Sequence, residues 1–105
     1  MVPPAPTAEI RDAAMSLKQR AMVLVYLICD QERYTTFDAH YFPSLDTPIA
    51  RLSEPKNYRT GPDLENKTVL CAELACWPGD EIWSASDVEL GELVSRSLEQ
   101  QGLPT

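Results

Sequence analysis

Apolar positions recur along this chain with two rhythms, one helical and one extended. Ile10, Ala13, Ala14 and Leu17 stand at i, i+3, i+4 and i+7, the spacing of one helical face. Thr7 is placed to cap that helix, and Glu9 in its first turn favours the positive end of the helix dipole. The pattern predicts a helix ending near Arg20. The next run, AMVLVYLIC from Ala21 to Cys29, has no polar alternation and carries β-branched residues. A run apolar on both sides predicts a strand covered on both faces, which a central strand of a larger domain achieves more easily than a chain of 105 residues. Asp30 to Arg33 reads as the turn that follows.

Residues 37–43 and 48–54 predict a pair of strands joined by Ser44-Leu45-Asp46-Thr47. Pro43 and Pro48 bracket the loop, where a missing ladder donor is tolerated. With Pro43 facing Pro48, one face carries Phe37, Ala39, Tyr41, Ala50, Leu52 and Glu54 and is the better core candidate. The other carries Asp38, His40, Phe42, Ile49, Arg51 and Ser53, with His40 opposite Arg51. A slip of one residue would exchange these pairings. After a polar loop with Gly61-Pro62 at its turn, TVLCAELAC predicts a further strand, residues 68 to 76. Its one charge, Glu73, shares a face with Val69, Cys71 and Ala75. WPGDEIW carries a Pro78-Gly79 turn between two tryptophans. Ser86 and Glu89 form a capping box, Leu90, Leu93, Val94 and Leu98 supply an apolar stripe, and Gly102 with Pro104 ends the helix. The expected fold is α+β: a mixed or antiparallel sheet of about four strands flanked by an N-terminal and a C-terminal helix, as one domain or a piece of a larger one.

Charge narrows the functional classes. A net charge of −7 argues against nucleic acid and against anionic membrane surfaces, both of which would repel it. The longest apolar run is about half of the roughly 20 residues a membrane span needs. The opening MVPPAPTAEI lacks the basic start and apolar segment of a signal peptide, so a cytoplasmic location is expected. Three cysteines, Cys29, Cys71 and Cys76, sit in apolar runs without a C-x-x-C pair and read as small buried hydrophobes. One histidine and no paired thiolates do not make a zinc site.

Candidate chemistry is sparse. The four glycines, Gly61, Gly79, Gly91 and Gly102, are isolated and form no phosphate loop. No serine or cysteine stands in a nucleophile motif, so no catalytic residue is assigned. His40 is a possible acid or base, though a strand histidine is more often simply hydrogen-bonded or exposed. Arg51 can grip a carboxylate or phosphate in its planar fork, or pair with Glu54 or Glu73. Glu73 in an apolar strand needs a partner such as Arg51, or a wet face. His40, Arg51 and Glu73 are therefore the substrate-pocket candidates. Trp77 and Trp83 read as core or rim aromatics before ligand-stacking ones.

The order of the pieces adds a further reading. A-x-x-x-L-x-x-R-A-M-V-L-V-Y-L, beginning at Ala13, is followed by Y-F-P, P-I-A-R-L-S-E-P-K-N, K-T-V-L-C-A-E and G-D-E-I-W. Over about residues 10 to 103 this order resembles the substrate-domain region of FAD-dependent amine oxidoreductases, especially the protoporphyrinogen-oxidase-like members. Family members tend to carry an aromatic before the arginine matching Arg20; Gln19 stands there. The resemblance implies an oxidoreductase fragment whose sheet covers a flavin and shapes a small-molecule substrate pocket. Met22 to Cys29 would be an inner strand of that domain. FAD would be held by a flavin-binding half of the same enzyme or by an adjacent chain, so none is expected to bind these residues alone, and neither is activity. The other reading is a stand-alone protein-interaction module using a strand edge or an apolar face.

Overall fold

The computed structural model describes Pro4 and residues 7–43 and 46–103. The loop positions Ser44 and Leu45, most of the opening VPPAP and the terminal Pro104 fall outside these. The elements are α1 (Ala8–Ser16), β1 (Ala21–Cys29), β2 (Ala39–Tyr41), β3 (Ile49–Ser53), β4 (Thr68–Cys76), α2 (Glu81–Ser84) and α3 (Asp87–Gln100), with a 3-10 turn at Pro55–Asn57. All strand pairings are antiparallel, in the spatial order β1-β4-β3-β2. The architecture is α+β, with helices at both ends of the chain.

The core lies between one sheet face and α3. Ile49, Leu52, Leu70 and Leu74 from the sheet meet Val94 and Leu98 from α3, each leucine worth roughly 2 kcal/mol once removed from water. The serine at the start of α3 fixes where that helix begins. Ser86 Oγ accepts from Glu89 N, while the Glu89 carboxylate accepts from Ser86 N. Gly102, at φ +81°, takes the left-handed conformation that stops it. Tyr34 then ties the helix end to the crossover between β1 and β2, its hydroxyl donating to Leu103 O at 2.5 Å.

Three expectations need correction. First, the 37–54 ribbon is paired one residue out of the anticipated register. Tyr41 stands opposite Arg51, and His40 stands opposite Leu52. Ala50 is an extra residue in β3, between Ile49 opposite Leu74 and Arg51 opposite Glu73. This bulge turns both Ile49 and Leu52 inward, which strict alternation forbids. Ala39 and Tyr41 consequently leave the core face.

Second, β1 is not covered on both faces in this chain: it is an edge strand covered on one side. Val25 and Cys29 are buried, whereas Met22, Leu24, Tyr26 and Ile28 are 47–69% exposed. Third, α1 stops at Ser16 instead of near Arg20 and buries none of its residues, Ile10 included. Thr7 does cap it, accepting from Ile10 N at 3.3 Å. The radius of gyration, 18.6 Å, exceeds the roughly 13 Å of a compact chain this long, in keeping with a helix that lies outside the core. Trp77 and Trp83 are exposed rim residues, and Arg20 sits over the Trp77 ring. No helix among the described residues is long and apolar enough to cross a membrane.

Candidate functional site

The sheet face opposite α3 is the surface with the most unusual composition. Strand alternation collects Met22, Leu24, Tyr26 and Ile28 from β1, with Val69, Cys71, Glu73 and Ala75 directly opposite them on β4. β3 adds Arg51 and Ser53, and β2 adds Tyr41 and Ala39. The result is an apolar field with one charged pair near its middle, bare along β1 and at Tyr41, while Cys71 and Ser53 within it are buried and the 59–64 loop borders Val69.

That pair settles the direction of Arg51. Its Nε donates to Glu73 Oε2 at 2.7 Å and its Nη2 to Glu73 Oε1 at 2.6 Å, a two-pronged contact across adjacent strands. The Glu73 carboxylate first, and the Tyr41 hydroxyl beside it, push the guanidinium pKa further above its already high ordinary range. Arg51 is therefore a fixed cation whose fork is filled. A ligand carboxylate could take it only by displacing Glu73. Next along β1, Tyr26 stands opposite Cys71. A hydrogen bond with that thiol is the main cause of a phenol pKa raised above its ordinary value.

Of the three predicted pocket residues, the structure brings Arg51 and Glu73 together and leaves His40 apart. His40 belongs to the opposite sheet face, through its pairing with Leu52, and its ring meets Phe37 edge-on at 5.6 Å. Cys29, Cys71 and Cys76 are all buried and free, as their apolar settings indicate. Among the described residues no group of histidine, cysteine and carboxylate side chains is arranged to hold a metal.

The sequence reading placed Glu54 on the core-candidate face but missed its role. It is 1% exposed and accepts hydrogen bonds from Tyr34 N at 2.8 Å, Thr35 N at 2.9 Å and Thr68 Oγ1 at 2.5 Å. Asn57 Nδ2 adds a fourth at 3.1 Å. Asn57 also accepts from Arg33 and donates to Thr35 O and Phe37 O. Lys56, two residues on, reaches Glu32 Oε1, Glu32 O and Lys67 O. The S-E-P-K-N stretch is thus a knot that locks the 30–38 crossover to the sheet. The available signal was a carboxylate set directly before a proline at the end of an apolar strand, a place where a solvated face is not natural.

An open groove of about 520 Å³ between α2, α3 and Pro48 carries Glu81, Glu89, Glu92 and Arg96 on its lining and does not include the Arg51–Glu73 pair. No protein-family model, curated protein or solved structure matches this chain.

Proposed function

We propose that the chain is the substrate-side sheet of an FAD-dependent, amine oxidase-like oxidoreductase, its bare face shaping a small-molecule pocket over a flavin held by other sequence. The observation that carries the reading is the uncovered apolar face with a neutralised ion pair at its centre. Such a face suits a flat, largely apolar molecule above it, with the Tyr26 and Tyr41 hydroxyls as polar handles. The motif order adds support, because its pieces fall on β1, on β2 with the residues after it, on β3 with the S-E-P-K-N knot, on β4, and on the start of α2.

The described residues do not fit the dinucleotide part of FAD. A pyrophosphate is normally held by a glycine-rich turn at a helix N-terminus. Here the longest helix, α3, has that end occupied by its own capping box, with Asp87 and Glu89 in the first turn. These carboxylates repel a phosphate. No catalytic step is therefore assigned to this chain, which contributes a wall and its orientation, and the chain is not expected to be active alone.

A second reading, a protein-interaction module, draws on the same bare face and on the exposed β1 edge, neither of which requires a flavin. The coding DNA on either side separates the two readings. A neighbouring G-x-G-x-x-G segment between a strand and a helix supports the flavoenzyme, and an isolated gene supports the module. Titrating the purified chain with FAD and following flavin fluorescence is the biochemical check. No saturable binding is the expected result; tight stoichiometric binding would contradict the proposed division of labour.

A further inference from the structure

The outer edge of β1 is open. Among the described residues its backbone pairs only with β4, and no other backbone bond reaches residues 21–29. Natural edge strands are usually short, charged, bulged or proline-bearing, which prevents pairing with other chains. β1 has none of these guards: it is nine residues long, unbroken in register against β4, and free of charge, proline and glycine.

We propose that β1 pairs with β1 of a second copy, antiparallel about a two-fold axis at Val25, joining two four-stranded sheets into one of eight. This inference is independent of the flavoenzyme reading. The argument for a second copy is that the strand is complementary to itself in this register. Met22 meets the partner's Ile28 and Leu24 meets the partner's Tyr26, so the bare faces join on one side and the α3 helices lie together on the other. At both ends Arg20 meets the partner's Asp30. The Asp30 side chain is 88% exposed and, among the described residues, its ion pair is with Lys67 at 3.0 Å. Arg20 rests against Ala75 O and the Trp77 ring, with the Asp80 carboxylate close enough to feel its charge. Moving the axis to Leu24 sets Arg20 against Ile28, and moving it to Tyr26 sets Met22 against Asp30, so charge selects the Val25 register. Isologous pairing of this kind closes after two copies and leaves no further edge of β1 exposed.

Sedimentation equilibrium of the full chain is the test, with charge reversal at both ends. A reversible dimer of twice the 11.7 kDa chain mass is expected. Arg20→Asp alone and Asp30→Arg alone each place like charges at two symmetric positions, which weakens the dimer by about tenfold. The combined variant restores opposite charges and recovers most of the affinity. Amide exchange adds a second readout, because protection of residues 21–29 rises with protein concentration when this edge is the interface. A chain that stays monomeric at several hundred micromolar overturns the proposal. So does a dimer indifferent to both reversals, which would assign association to stacking of the bare faces, and so does a combined variant no better than the single ones.

Discussion

Arg51 and Glu54 stand three residues apart and have opposite fates. Arg51 lies on the bare face and finds a carboxylate partner, Glu73, across the sheet at 2.6 Å. Glu54 is buried and is satisfied by neutral hydrogen-bond donors, two backbone N–H groups, a threonine hydroxyl and an asparagine amide. Their substitutions should separate accordingly. Glu54→Ala leaves several buried donors unpaired and is expected to cost roughly 3 kcal/mol in urea unfolding; a loss below about 1 kcal/mol would mean that water replaces the carboxylate. For the surface pair the sign of a double variant is the sharper readout. Arg51→Met alone strands Glu73 among apolar neighbours and should lower the melting temperature, while Arg51→Met with Glu73→Met should recover it, because an ion pair is often replaceable by packed apolar groups. A double variant no more stable than the single one would contradict that view of the pair. Glu73 needing a partner was legible from one charge in an apolar strand. The choice of Arg51 was one of the alternatives open in the sequence, and the strand register decided it.

Among the elements, β4 and α3 were the most legible, because each carries its own punctuation. β4 is bounded by a polar loop and a Pro-Gly turn, and α3 by a capping box and Gly102. The hairpin was misread by one residue because the two prolines do not face each other: β2 and β3 pair in continuous register from Ala39 opposite Ser53 to Tyr41 opposite Arg51. The separate bulge at Ala50 against β4, which meets the core's demand for both Ile49 and Leu52, has no local signal either. The short α2 was hidden inside the WPGDEIW turn. Asp80 makes it, accepting from Trp83 N at 2.9 Å and from Trp77 N at 2.8 Å. These backbone bonds, Trp83 first, hold its carboxyl pKa below the ordinary aspartate value of 3.8. A carboxylate with a lowered folded-state pKa adds stability that is complete above that ordinary value and is lost as pH falls through the lowered one. Urea unfolding followed by circular dichroism at pH 7 and pH 3 should therefore show a larger acid loss in the parent than in Asp80→Asn. Equal losses would remove Asp80 from the acid response.

At the scale of the whole molecule, the question is how one sheet surface is covered. A strand as apolar as β1 asks to be covered on both faces, yet the fold covers only one. The demand was readable in AMVLVYLIC; which face goes bare depends on where α3 packs, a long-range outcome that no local pattern encodes. The flavoenzyme reading, the β1 pairing and the exposed apolar residues of α1 all concern how this surface is completed by something else. Dye binding measures the surface directly. The purified chain at neutral pH should enhance the fluorescence of an apolar dye such as anilinonaphthalene sulfonate, with the far-ultraviolet circular dichroism of a folded protein. Leu24→Lys combined with Tyr26→Lys, two exposed positions on that face, should abolish most of the enhancement and leave the circular dichroism unchanged. A folded parent chain that binds no dye, or a double variant that binds it as well as the parent, would contradict a bare apolar sheet face.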